Sequence, residues 1–390
     1  MYVAKSSSQA SREPQPNETY YPLKDGRIRD WLAITPIANL EIDRNHLPTG
    51  EISVVGVTLM DLKHFICVAK RRWGRAGATL KSGLEMFLRH YEKAGTIIPA
   101  IHAVALQRKR RSGRLLEEKF HNDVRCALAI LASTFWTYKD RDPLSAFGTL
   151  EHASRGQRIW FLQNTQHPFR HAPLSMSWTK GLIPARIDNF WRTAEKRYKF
   201  LRLINAFFSE NSPASDGWKT SVRQAFRLFG EGFFERDAQQ AAFANMVALD
   251  LLLFESQERE QRKIKLLDAL LRWIRMYDPP GPSWAQESEL KRLFKIRNDI
   301  AHRGETSELS VGDLLLSDDI IGNLLVLIVR NQGKFCTKEK LRDFAREELA
   351  RKCLGQKPPY EFVKRNRPVI RRWTSSQKRR IAGRLSGLKA

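Results

Sequence analysis

The sequence predicts a mainly α protein: an antiparallel helical bundle over residues 186–355, preceded by a mixed, mostly helical N-terminal domain over residues 26–185. Three observations predict it. Beyond Pro184 apolar residues recur at three- and four-residue intervals, and no stretch there alternates at period two. Breakers at Asn211-Ser212-Pro213 and Pro279-Pro280-Gly281-Pro282 divide that half into separate helices. The chain has 390 residues, 42% of them apolar, which is ample for a sizeable core.

Taken in order, residues 1–25 are polar and Pro-containing and read as a disordered leader, with packing expected from Ile28, Trp31, Leu32 and Ile34 onward. Ile52, Val54, Val55 and Val57 make 51–59 a strand. Helices are expected over 60–72 and 80–93, the second ending at Gly95, followed by an apolar segment over 97–106 that Pro99 interrupts. Leu116, Phe120, Val124, Leu128, Leu131 and Phe135 fall mostly at helical spacing and predict a helix over 115–138. Residues 140–184 are rich in turn formers and read as loops or a connector. Helices follow over 187–208, 222–234, 237–258, 262–276, 287–303, 317–330 and 338–353, the last behind Thr337 as its cap. Residues 356–390 form a basic tail.

Several function classes fall away. The longest nearly uninterrupted apolar run, 320–329, holds Gly322 and Asn323 and is too short to span a bilayer, and the amino terminus has no apolar signal-peptide core. A cytoplasmic protein without membrane contact is expected. Cys67, Cys126, Cys336 and Cys353 have no metal-ligand spacing, and His167 and His171 lack a third ligand, so neither a metal nor another cofactor is expected. No Gly-rich phosphate loop is present.

The net charge of +25 points to a polyanionic partner, RNA above all. That charge is clustered. Residues 70–75 carry four cations, 108–114 carry five including Arg108, Arg110 and Arg111, and 364–389 carry ten with no acid. The last group includes Arg371, Arg372, Lys378, Arg379 and Arg380, interleaved with Val369, Ile370, Trp373, Ile381 and Leu385. A short basic amphipathic helix, or an arm that orders on RNA, fits this pattern.

The stretch that organises the functional reading is Lys295-Ile296-Arg297-Asn298-Asp299-Ile300-Ala301-His302-Arg303-Gly304. Leu290, Leu293, Phe294, Ile300 and Ala301 define an apolar stripe, and Arg297 falls within it. A guanidinium in that position needs a carboxylate, a phosphate or a path to water. Asn298 and His302 are four apart and neighbours on the adjoining flank. Gly304 suits a left-handed cap, which puts His302 in the last turn, where the helix dipole favours an imidazolium. On the helix over 237–258, Asp250 sits among Ala242, Met246, Leu249 and Leu253. Two charges of opposite sign on two apolar faces predict a pair, so Asp250 is expected to orient Arg297.

Arg297-Asn298-Asp299-Ile300-Ala301-His302 resembles the Arg-x4-6-His signature of HEPN domains, most closely the Apea-like group. The Leu-Asp-Leu-Leu segment around Asp250 is similar to that group's Leu-Glu-x-Leu-Leu helix, and Leu290 to Ile296 is similar to its Leu-x-x-Leu-Tyr-x-x-Arg approach. Phe294 stands where tyrosine is usual, Asp250 replaces glutamate, and Arg303 separates His302 from the glycine. The resemblance covers about residues 186–355. It implies a HEPN-like bundle of four or five helices that pairs face to face in a homodimer, making one composite cleft. It also implies a metal-independent endoribonuclease of toxin or antiphage type.

The residue types suit that chemistry. Histidine titrates near neutrality and serves as acid or base, while a fixed arginine stabilises charge building on the phosphorane. His302 takes the acid/base role, Arg297 the electrostatic one, and Asn298 positions the phosphate or hydroxyl. Arg303 adds a cation beside them. A non-catalytic RNA- or nucleotide-binding or dimerising protein of the same fold is the alternative. There, Arg297 and Asp250 only bridge helices and His302 only ends one.

Overall fold

The computed structural model describes residues 31–93, 101–109, 116–141, 145–149, 159–160, 175–176, 184–277, 286–304 and 308–388. The expected leader over 1–25, most of the connector over 140–184, and Arg110 and Arg111 lie outside the described residues.

The N-terminal part is mixed, its two long helices packed against a sheet of which the sequence predicted one strand. β1 (Trp31–Ala38), β2 (Leu40–Ile42), β3 (Glu51–Val54) and β4 (Val57–Asp61) lead into α1 (Leu62–Lys93), β5 (Ile101–Lys109), α2 (Leu116–Phe135) and β6 (Gly148–Thr149). Five of these strands form one antiparallel sheet in the order β3-β4-β5-β1-β6. β7 (Ile159–Trp160) pairs with β8 (Ser175–Met176), and β9 (Ala185–Ile187) runs parallel to β2. The single strand expected over 51–59 is a hairpin, with Val55 and Gly56 at φ +46° and +80° in its two-residue turn. A β-branched residue resists that conformation. Asn205 braces it, accepting from the Val55 N–H at 2.8 Å and donating to the Ser53 carbonyl at 2.8 Å.

β5 lies inside the sheet, between β4 and β1. Its side chains alternate between two cores: Val104 and Leu106 meet Phe65, Val68 and Ala69 of α1, while Ala103 and Ala105 join the main core with Val124 and Leu128 of α2. α1 departs from helical geometry at Gly74 (φ +58°, ψ −135°), which divides it into two arms near the two helices the sequence predicts.

The rest is helical. α3 (Asn189–Tyr198) and α4 (Phe200–Phe207) replace the single helix expected over 187–208, because Lys199 between them is left-handed at φ +53°. α5 (Asp216–Phe233), α6 (Ala238–Leu253), α7 (Glu260–Leu270), α8 (Arg272–Arg275), α9 (Glu287–Arg303), α10 (Val311–Arg330) and α11 (Lys338–Cys353) follow. Their caps are the ones side-chain chemistry favours: Asp237 accepts from Gln239 and Gln240 at the start of α6, and Thr337 accepts from Lys340 at the start of α11.

α10 is buried along almost its whole length, its polar residues Asp318, Asp319 and Asn323 included. The main core runs without interruption from Ile37 in the sheet to Val369 near the C-terminus, so residues 186–355 share their interior with the segment before them. α2 packs directly on α5 at Gly230, where a Cβ would stand 1.7 Å from the Ala129 carbonyl oxygen. No helix among the described residues is long and apolar enough to cross a membrane.

The basic tail is folded onto this body. α12 (Tyr360–Arg365) and α13 (Ser375–Ala382) flank a segment in which Val369 is fully buried. Asn323 of α10 holds that segment, accepting from the Val369 N–H at 2.8 Å and donating to its carbonyl at 3.1 Å. Ile381 and Leu385 are buried against Ala238, Ala241 and Leu314.

Candidate functional site

α9 starts with Glu289 accepting from the Gln286 N–H at 2.8 Å and ends at Gly304, which is left-handed at φ +78° and donates to the Ile300 carbonyl at 2.9 Å. Both ends are the ones the sequence predicts. Leu290, Leu293, Phe294, Ile296 and Ile300 face the core. Arg297 stands at the margin of this face, its side chain 28% exposed. Ala301, expected on the apolar stripe, is exposed.

Arg297 Nη2 donates to Oδ2 of Asp250 on α6, the partnership expected from the sequence. Its Nη1 donates to Asn298 Oδ1 at 2.9 Å, and Asn298 Nδ2 donates to Glu260 of α7 at 2.7 Å. Asp250 has a second cation: Lys263 of α7 donates to its Oδ1 at 3.1 Å, with the lysine side chain only 10% exposed. A third approaches from α11, where Lys338 Nζ donates to the Phe254 carbonyl at 2.5 Å and the Asp250 carbonyl at 3.3 Å, closing the C-terminal end of α6. Burial pushes the Lys338 ammonium below the usual lysine value, and Asp250 opposes that shift. Just beyond, buried Glu258 pairs with Arg342 at 3.3 Å and Arg262 at 3.2 Å.

His302 is exposed in the last turn of α9 and has no hydrogen bond or ion pair among the described residues. Arg303 beside it is 77% exposed and lies 3.8 Å from Asp299. At about 100° per residue, Arg297 to His302 subtends an arc of roughly 140°, with Ala301 and Asn298 between them. These four residues are partly or fully exposed. A phosphate against this arc meets a fixed cation, an amide and a titratable ring.

The expected nucleic-acid cations have varied fates. Arg108 is exposed near the end of β5, and Arg372, Lys378 and Arg379 are exposed on the tail. Arg371 is committed to the fold. Its side chain is 12% exposed, and it donates to the Trp136 carbonyl at 2.8 Å, to the Lys139 carbonyl and to Asp140 at 3.3 Å. Burial lowers its pKa to about 10. Arg380 pairs with Asp140 too. The tail is therefore a docked element rather than a free arm.

Sequence reasoning missed Lys263 and Lys338, whose helices were recognised but whose partners lie on other helices. It also missed a second charged cluster behind the first. Arg141 is 1% exposed, donates to both oxygens of Asp318 at 2.5 and 2.6 Å, and reaches the Gly232 carbonyl. Asn245 donates to Asp318 at 2.8 Å and to Ser317 at 2.9 Å, and Trp136 Nε1 donates to Asp319 at 3.0 Å. The available signal was a pair of aspartates inside the apolar run of α10.

Comparison with protein-family models, with curated proteins and with solved structures finds no match to this chain.

Proposed function

We propose that this chain is a metal-independent endoribonuclease of HEPN type. The observation that carries this reading is the arrangement on α9: Arg297 is held by an aspartate that a second cation also fixes, while His302 one and a half turns later is exposed. In the reaction, the RNA 2'-hydroxyl attacks the adjacent phosphorus and the 5'-oxygen leaves, giving a 2',3'-cyclic phosphate. One imidazole takes the hydroxyl proton and one protonates the leaving oxygen. A dimer apposing two α9 arcs supplies both from its two His302 residues. Arg297 carries the charge that builds on the phosphorane, and Asn298 positions the phosphate.

The second reading is a non-catalytic RNA- or nucleotide-binding module. It is favoured by the pairing of both terminal nitrogens of Arg297, which accounts for its position without a substrate. One experiment separates them: RNA incubated in EDTA with the wild type, His302→Ala and Arg297→Ala. Cleavage by the wild type that both variants lose supports the nuclease. RNA retention with no cleavage by any of the three supports the binding module.

A further inference from the structure

A second polar cleft lies away from α9, on the N-terminal sheet. It measures about 450 Å³ and is lined by Gly56, Thr58, Arg72, Trp73, Gln107 and Arg108, with Leu32 and Leu106 among its apolar walls. That volume is within the range of small-ligand sites, roughly 300–1,000 Å³. The fold builds it deliberately from three pieces. Thr58 and Leu106 are register partners in β4 and β5, which sets Gln107 and Arg108 beyond the end of the paired segment. The break in α1 at Gly74 ends the first arm immediately after Arg72 and Trp73.

We infer that this cleft binds a nucleotide of single-stranded RNA, separately from the α9 arc. Trp73 is half-buried, with its ring centroid 5.9 Å from that of Phe65 and the Arg72 guanidinium 5.0 Å from its own. An indole and a guanidinium lining one cleft offer π surface on which any base can stack. Arg72 is paired with Glu51, so its charge is largely offset and its part is stacking. Arg108 is exposed at the rim and supplies the phosphate contact. Lys70, Arg71 and Arg75 are exposed on the same helix arms and extend the positive surface along a bound strand.

Gln107 donates to Asp123 of α2 at 3.1 Å, on the sheet face opposite α1, so its side chain takes no part in the stacking. A duplex keeps its base faces and its Watson–Crick edges occupied, which excludes it from such a site.

The test needs no cleavage. Fluorescence anisotropy of the full chain is measured with a labelled, fully 2'-O-methylated oligouridylate, whose blocked hydroxyls prevent strand scission. Trp73→Ala is expected to weaken binding about ten-fold, the effect of losing one stacked base. Arg108→Gln is expected to reduce the slope of log Kd against log salt by about 0.7. Lys196→Gln, an exposed cation on α3, serves as the control and is expected to bind like the wild type. Unchanged affinity in both cleft variants, or equal affinity for a duplex of the same length, overturns the inference. Photocrosslinking of the wild type with 4-thiouridine RNA keeps the test decisive if Trp73→Ala fails to fold. Crosslinks in peptides holding Thr58, Trp73 or Gln107 support the site, and crosslinks confined to other regions overturn it.

Discussion

Arg297 of α9 and Lys263 of α7 grip opposite oxygens of one carboxylate, Asp250 Oδ2 and Oδ1, so a single aspartate ties three helices together. The two cations are not equivalent. Lys263 is the more buried, and both pair with Asp250.

Asp250→Ala takes the carboxylate from both cations and leaves Arg297 only its hydrogen bond to Asn298 among the described residues. Removing one member of a fully buried pair costs about 3–5 kcal/mol; partial exposure here brings that to about 2 kcal/mol. Arg297→Ala leaves Asp250 still paired with Lys263 and is expected to cost about 1 kcal/mol or less. Urea unfolding midpoints are therefore expected to fall further for Asp250→Ala than for Arg297→Ala. The reverse order contradicts the shared-carboxylate arrangement.

The same asymmetry separates structure from chemistry. Under the proposed reaction, Arg297→Ala is nearly as stable as the wild type yet loses about 100- to 1,000-fold in cleavage rate, the usual effect of deleting one transition-state stabiliser. Asp250→Asn keeps a hydrogen-bond acceptor and is expected to lose less. Single-turnover rates in EDTA measure both. An Arg297→Ala protein that is stable and fully active removes the guanidinium from the mechanism.

Arg141→Met tests the deeper cluster. Asp318 then keeps Asn245 but loses its ion-pair partner, in a site where both members of the pair are at most 3% exposed. About 3–5 kcal/mol of destabilisation follows, read as a large drop in melting temperature. Arg141→Met with Asp318→Leu is expected to recover part of it, since an apolar pair leaves no unpaired charge behind.

Asp319 makes stability pH-dependent. Burial raises its pKa to about 7, and neighbouring Asp318 adds to the rise, against the Trp136 hydrogen bond and the Arg371 charge. The folded state therefore binds a proton that the unfolded state has released above its ordinary value of 3.8. Stability from this group is fully present below that value and is lost as pH rises through about 7. Glu195 and Glu348, also raised by burial, act in the same direction, while Asp268, held low by Lys352 and Arg275 against its burial, acts oppositely. The difference in unfolding midpoint between Asp319→Asn and the wild type isolates the contribution: it is expected to grow in favour of the variant between pH 4 and 7. A constant difference across that window places the ionisation elsewhere.

The sequence made the α6–α9 pair legible because each charge breaks an apolar helical face, a pattern confined to one helix at a time. The caps at Thr337 and Gly304 were legible for the same reason. β5 was not. Its segment Ile-His-Ala-Val-Ala-Leu is a nearly continuous apolar run, which periodicity cannot assign to strand or helix, and its partners β1 and β4 lie far from it in sequence. Arg141 and Arg371 were illegible too, since each is satisfied by groups from distant parts of the chain, including backbone carbonyls that have no sequence signature.

The docking of the tail on the fold changes how the proposal that it binds RNA is tested. Deletion of residues 364–390 removes ten cations at once. It also removes Val369 from the core, frees Asn323 inside α10, and exposes the Trp136 and Lys139 carbonyls that Arg371 covers. A truncated chain is therefore expected to melt at lower temperature, and lost RNA binding in it reports on folding as much as on charge. Lys378→Gln with Arg379→Gln is the cleaner change, because both side chains are exposed on α13 while Ile381 on the same helix stays buried. This double variant is expected to keep the wild-type melting temperature. Its RNA affinity should fall with a slope of log Kd against log salt reduced by about 0.7 for each phosphate contact removed. An unaltered slope assigns the tail to the fold alone and leaves the sheet cleft and the α9 arc as the surfaces proposed to meet RNA.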